Sequence, residues 1–203
     1  MKIIETRAAP NPRRVRIFLA EKGLHIPLEE FELNMDNIRS EEFAELNPMR
    51  QVPILVLDNG ECISETIAIC RYLEELNLRP ALFGATPIEK ARIEMWNRRA
   101  ELGFFFAVAQ AFRHLHPRMS EREVPQVREW GEANKEKALQ RLKILDQRLQ
   151  SSPFLAGDTY SIADITLLVA IDFMTTARIE RPLSLAGVTR WYDEVSARPS
   201  ARA

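Results

Sequence analysis

Gln51-Val52-Pro53-Ile54-Leu55-Val56-Leu57-Asp58-Asn59-Gly60-Glu61-Cys62-Ile63-Ser64-Glu65-Thr66-Ile67-Ala68-Ile69 carries a strand-opening proline, a hairpin and a helix start in nineteen consecutive residues. Ile54 to Leu57 and Cys62 to Ser64 are apolar strands, and the Asn59-Gly60 pair between them predicts a type I′ turn with both central residues at positive φ. A helix follows from about Glu65 to Leu76, with Ile67, Ile69, Tyr72 and Leu73 on its apolar face. A proline that opens a strand gives up one ladder donor, and in the cis form it turns the preceding residue's N–H and C=O outward as an open pair. Sequence leaves the isomer of Val52-Pro53 open. Glu65 and Thr66 stand at a helix N-terminus, where unpaired amides attract a carboxylate and the Thr hydroxyl adds a hydrogen bond. An extended peptide backbone at Val52, an α-carboxylate at Thr66 and an amine at Glu65 together describe a short peptide ligand. Each feature alone also fits a plain strand start and an acidic first turn.

Outward from this stretch, Ile3 and Ile4 read as a strand, and Pro10-Asn11-Pro12 breaks the chain before a helix over Arg13–Lys22 that ends at Gly23. Leu28–Leu33 reads as a second strand, and Ser40-Glu41-Glu42 opens a short helix stopped by Asn47-Pro48. The order is βαβαββα. Residues 79–86 lose periodicity around Pro80 and Gly84 and read as a linker. Thr86-Pro87 with Glu89 forms a capping box for a long helix to about Arg113, and a second long helix over Val124–Leu149 should pack antiparallel to it. Ser161 and Asp164 form another capping box, opening an apolar helix through Phe173, and a last helix spans Leu183–Val195. The division is residues 1–78 as an α+β domain and 87–203 as an all-α helical-bundle domain.

Composition removes several classes of function. The 203 residues are 46% hydrophobic and 28% charged, an ordinary globular balance. The seven glycines stand singly, so no glycine-rich loop exists to cradle a nucleotide phosphate. Two cysteines, Cys62 and Cys70, and three histidines, His25, His114 and His116, have no zinc or disulfide spacing, so no metal is expected. A net charge of −1 disfavours nucleic acid, and the longest apolar runs fall short of the roughly 20 residues of a membrane helix. The opening strand-like run in place of a signal peptide predicts a cytoplasmic protein. Residues 1–78 hold 9 basic and 14 acidic side chains, net −5, which leaves +4 for the remainder.

The βαβαββα order, the Gln51-Val52-Pro53 strand start, Ser64-Glu65-Thr66-Ile67-Ala68-Ile69 with Tyr72-Leu73, and the Ser161-Ile162-Ala163-Asp164 box resemble the glutathione S-transferase superfamily over essentially the whole chain. The resemblance implies a thioredoxin-like N-terminal domain that binds glutathione, followed by an all-helical domain. It pairs Val52 with the cysteinyl backbone of glutathione, gives Glu65 and Thr66 the γ-glutamyl end, and sets Gln51 at the glycine end. It treats the Ser161 box as a folding signal, without a catalytic role for Asp164.

Superfamily members usually keep a Tyr, Ser or Cys near the end of the first strand to act on the glutathione sulfur. Here the stretch is Thr6-Arg7-Ala8-Ala9-Pro10-Asn11-Pro12-Arg13-Arg14, with Ala9 about where that residue belongs and Thr6 as the sole hydroxyl. Pro-Asn-Pro followed by Arg-Arg-Val is similar to an atypical fungal and bacterial subgroup without the usual residue. There the sulfur sits at the N-terminus of the first helix, and a His and a Ser of the helical domain hold an activating water. A thiol pKa of about 8.5 falls by one unit for each ~1.4 kcal/mol of preference for thiolate, and a partly buried helix N-terminus supplies about 0.3 to 2 kcal/mol. The amides of Asn11 and Arg13 and the side chain of Arg14 would add to it. His116 before Pro117 matches the subgroup's histidine best, Ser120 is the nearest downstream hydroxyl, and His114 is the fallback. A helix-end histidine satisfying the C-terminal dipole is the plain alternative.

Phe104, Phe105 and Phe106 cannot all face the core; one or more could line an electrophile pocket, with core or dimer packing the plainer assignment. Arg92, Arg98 and Arg99 either hold a partner subunit or form a solvated basic face. The expectation is a detoxifying homodimeric transferase that conjugates glutathione to a small apolar electrophile. Isomerisation, dehalogenation or peroxide reduction on the same scaffold, and a non-catalytic interaction module, are the alternatives.

Overall fold

The computed structural model describes residues 1–203, which divide into two compact units, residues 1–81 with 202–203, and residues 82–201. In the first unit the order is β1 (Lys2–Glu5), α1 (Pro10–Lys22), β2 (Leu28–Glu30), α2 (Met35–Arg39), α3 (Glu41–Leu46), β3 (Ile54–Val56), β4 (Cys62–Ser64) and α4 (Thr66–Leu76). The sheet order is β2-β1-β3-β4, with β1 parallel to β2 and antiparallel to β3, and β3 antiparallel to β4. Ile4 and Ile54 lie side by side in the register and pack with Val52 and with Phe43 of α3. Ile3 and Leu55, the adjacent pair, point to the opposite face by the alternation of a strand. That face is left to α1 and α4, which pack on each other. This is the thioredoxin-like arrangement that the family resemblance implies.

Local chemistry explains most boundaries. Gly23 ends α1 in the left-handed conformation at φ 63°, and Ser40 accepts from the Phe43 N–H to cap α3. Three expectations are corrected. α1 begins at Pro10, because Pro10 and Pro12 both fit a first turn that needs no N–H from them. β2 stops at Glu30, because Asn34 accepts from the Asn37 N–H and turns the chain into α2. The hairpin is a three-residue loop and not a type I′ turn. Gly60 alone is left-handed, at φ 86°, while its N–H donates to the Leu57 carbonyl at 2.9 Å and the Leu57 N–H to Glu61 at 2.8 Å.

The second unit is helical: α5 (Pro87–Arg98), a π-helical segment (Arg99–Phe105), α6 (Phe106–Leu115), α7 (Arg128–Gln150), α8 (Ile162–Thr176) and α9 (Ala186–Ser196), with 3₁₀ turns at Pro117–Met119 and Pro199–Arg202. The Thr86/Glu89 box opens α5 as expected. The long helix is thus interrupted by π turns, and α7 starts four residues later than its apolar spacing suggests, beyond Pro125. The Val127 N–H donates to His114 Nδ1 and Trp130 Nε1 to Gln110 Oε1, so α7 runs antiparallel to α6. α8 is buried on nearly every side, and Asp164 at its start accepts from Leu155 N–H, Trp191 Nε1, Ser161 N–H and Ser161 Oγ at 2.9 to 3.0 Å. No helix is long and apolar enough to cross a membrane.

Candidate active site

The antiparallel registers bring three chain segments to one end of the sheet. Extending the β3–β4 register, in which Ile54 faces Ser64, by two residues sets Val52 across from Thr66. Extending the β1–β3 register, in which Ile4 faces Ile54, sets Val52 beside Thr6, which leads into α1.

Thr6 to Asn11 form the first wall. The Thr6 hydroxyl donates to the Phe31 carbonyl at 2.5 Å, and Arg16 bridges the Glu5 carboxylate at 2.5 Å and the Arg7 carbonyl at 2.9 Å. The only hydroxyl of this stretch is therefore used within the fold. Within the first turn of α1 the Ala9 N–H donates to Thr6 and the Arg13 N–H, over 3.4 Å, to Ala9, while Pro10 and Pro12 have none. The expectation of two free amides is corrected: Arg13 closes the first helical bond, and the Asn11 N–H is what remains. Arg14 is 2% exposed and donates to Asn11 Oδ1 at 3.3 Å, a buried positive charge next to that amide.

The second wall is Asn47 to Pro53. Val52-Pro53 is cis. Val52 lies outside the ladder, its side chain in the core and its N–H and C=O without an intramolecular partner. Asn47, 3% exposed, donates to the Gln51 carbonyl at 2.8 Å and accepts from the Met49 N–H at 3.0 Å, fixing the turn that delivers Val52. Gln51 keeps an exposed side chain. Asn47 is a residue that sequence reading used only as a helix stop; an Asn before Pro at a helix end was the available signal.

The third wall is the start of α4. Glu65 has φ 70° and ψ 117°, a conformation that costs a non-glycine residue about 1 to 3 kcal/mol. The Ile69 N–H donates to the Glu65 carbonyl, so the amides of Thr66, Ile67 and Ala68 stay unpaired at the helix end. Thr66 is buried and Glu65 exposed. A carboxylate fits the amides, and the Glu65 side chain stands free for a cation.

The histidines belong to the second unit. His116 ends α6, half-buried, with its ring 5.0 Å from that of Phe112. Its Nδ1 accepts the Arg118 N–H at 3.2 Å, which leaves the proton on Nε2. Desolvation first, then the charges of Arg178 and Arg118, hold its pKa below the ordinary imidazole value, so the ring is neutral at physiological pH. Ser120 is exposed four residues on. His114 has both nitrogens engaged, Nδ1 by the Val127 N–H at 3.0 Å and Nε2 facing Glu123 at 3.5 Å, which makes it a brace between α6 and the segment before α7. Phe104 and Phe105 point inward and Phe106 outward. Cys62 is half-buried and Cys70 buried, neither in a disulfide.

Residues 8–76 match the family model of the glutathione S-transferase N-terminal domain, and residues 95–199 that of the C-terminal domain. "Glutathione S-transferase 2" of Saccharomyces cerevisiae is 37% identical, over 100% of this chain and 88% of its own. The crystal structure of Gtt2 from Saccharomyces cerevisiae has a TM-score of 0.95 at 36% identity, covering 100% of this chain and 99% of that one. A glutathione S-transferase domain-containing protein of Marinobacter aquaeolei has a TM-score of 0.92 at 39% identity, covering 98% and 99%.

Proposed function

This chain belongs to the glutathione S-transferase family, and we propose that it conjugates the glutathione thiolate to a small apolar electrophile. The observation that carries this reading is the convergence, at one sheet end, of the Asn11 N–H, the open N–H and C=O of Val52, and the amides of Thr66 to Ala68. An extended peptide with a free α-amino acid end fits these three walls. Its backbone pairs with Val52, its carboxylate sits on the α4 amides with the Thr66 hydroxyl, its amine meets Glu65, and Gln51 faces the glycine end.

The sulfur lies at the Asn11 N–H. The α1 N-terminus and the buried Arg14 charge favour thiolate over thiol, and the thiol proton goes to solvent. In this reading His116, neutral and presenting Nε2–H, and the Ser120 hydroxyl are the helical unit's residues that hold an activating water. Sulfur bonds to the electrophilic carbon while the leaving group departs with its electron pair. Thiolate stabilisation and proximity supply the acceleration, with no covalent intermediate on the protein.

In this reading residues 1–78 form the glutathione domain, 79–86 the linker and 87–203 the helical domain of a cytoplasmic detoxification enzyme. A homodimer is supported by Ile88, Met95 and Leu102, exposed apolar residues seven apart, followed by exposed Phe106. Arg98 pairs with Glu94 and Glu101 on its own helix and Arg99 covers the Trp96 ring at 4.6 Å, so apolar contact is the stronger basis for association.

The test combines retention on immobilised glutathione with turnover of glutathione and 1-chloro-2,4-dinitrobenzene. Retention with turnover is the expected result. The committed Thr6 hydroxyl favours one second reading, another glutathione-dependent reaction, which retention without turnover would indicate. Neither retention nor turnover would point to an interaction module.

A further inference from the structure

The helical unit carries an aromatic row that ends among cations. The Phe105 and Phe173 rings meet edge-on at 6.0 Å, Phe173 and Phe112 at 5.1 Å, and Phe112 lies 5.0 Å from the His116 ring. Phe112, Phe173 and His116 are half-buried, so the row keeps an accessible edge. Beyond it stand Arg118, whose backbone N–H orients the imidazole, and Arg178, just past the end of α8. Both side chains are exposed, and they are the charges that act on the His116 ring, with no carboxylate among them.

Arg178 is there at a conformational cost. It holds φ 57°, while its N–H donates to Thr175 and the Ile179 N–H to Met174, a helix ending in which the left-handed residue is usually glycine. The backbone gives no reason for an arginine there.

We propose that the second substrate is an electrophile with a flat aromatic or conjugated body and a carboxylate at one end, the body lying on Phe112 and Phe173 and the carboxylate held by Arg118 and Arg178. The proposal rests on the transferase reading and narrows it, adding an anionic end to an apolar body. A guanidinium pair without a counter-ion is suited to a charge-assisted, fork-like bond with a carboxylate.

The test uses 4-chloro-3,5-dinitrobenzoate and its methyl ester, each assayed for kcat/KM and divided by its uncatalysed rate with glutathione. In both, sulfur bonds to the carbon bearing chlorine, chloride leaves with the bonding pair, and the thiol proton passes to solvent. The acid is expected to be accelerated at least tenfold more than the ester, with the excess shrinking as salt is raised. Arg178→Gly, which suits the backbone, and Arg118→Gln should each reduce the acid-to-ester ratio at least fivefold. Equal acceleration of acid and ester, or a ratio that both variants leave intact, overturns the proposal while the transferase reading stands. Conjugation of neither compound overturns both.

Discussion

Asn47 Nδ2 donates to the Gln51 carbonyl at 2.8 Å, so a buried amide on the far side of a turn fixes the residue that precedes Val52. Asn47→Asp keeps the acceptor for the Met49 N–H but loses the donor to Gln51. It should raise KM for glutathione several-fold and leave kcat nearly unchanged. Steady-state kinetics with glutathione varied at saturating electrophile reads this; a fall in kcat at constant KM would contradict the positioning role.

Thr66→Val removes the hydroxyl from the α4 start and keeps the side-chain shape. A hydrogen bond of about 0.5 to 1.5 kcal/mol corresponds to roughly a 2- to 13-fold loss of glutathione affinity. Calorimetric titration with glutathione measures it. Unchanged affinity would remove Thr66 from the γ-glutamyl subsite.

The two neighbouring histidines should separate cleanly. His116→Ala is expected to lower kcat about tenfold or more with little change in glutathione affinity. His114→Ala, which leaves the Val127 N–H without its acceptor and Glu123 with Arg113 alone, should instead lower the melting temperature. Any acidic loss of kcat that vanishes in His116→Ala should be centred below pH 6.5, since burial and two arginines disfavour the imidazolium.

Gly187 and Gly131 mark two close helix approaches of different stiffness. A Cβ at Gly187 would lie 2.6 Å from the Asp146 carbonyl oxygen and 2.8 Å from the Gln150 nitrogen, while one at Gly131 would meet the Leu115 side chain at 2.6 Å. Backbone cannot step aside as a side chain can. Gly187→Ala should therefore cost about 1 to 3 kcal/mol of unfolding free energy and Gly131→Ala distinctly less, as denaturant titration would show.

Asp164 gives stability a pH dependence. Burial outweighs its four donors and raises its pKa from 3.8 to about 6. Because the folded value lies above the unfolded one, the folded protein binds the extra proton between the two, so this site favours folding more as pH falls from 6 toward 4. Urea titrations at pH 7, 6 and 5 should show the wild type gaining stability relative to Asp164→Asn over that range. Wild type losing stability relative to the variant toward acid would reverse the assignment.

What sequence conveyed about this molecule was local. The Thr86/Glu89 and Ser161/Asp164 boxes and the Gly23 stop announce themselves, because the atoms that satisfy the helix end are within three or four residues. Val52, Pro53 and Thr66 are equally legible, since a strand-start proline and a helix-start threonine act through their own backbone. Glu65 gives no such sign: its positive φ is imposed by the junction of β4 and α4, and neither glycine nor asparagine marks the place. The lost Arg13 amide, the engaged nitrogens of His114 and the held Gln51 carbonyl depend on partners whose position only the fold supplies. Over-extension of β2 to Leu33 has a simpler cause, a missed Asn34 cap.

The π-helical segment Arg99–Phe105 makes the chain unusually tolerant of length just there. A π turn holds about one residue more than the α turn it replaces, so excising a single residue would let α5 run into α6 as uninterrupted α-helix while the residues downstream keep nearly the same facing. Phe112 and His116 would stay in the row they form with Phe173. Insertions and deletions are usually absorbed in loops; at this point of a helix one codon can be lost and the row still keep its side chains.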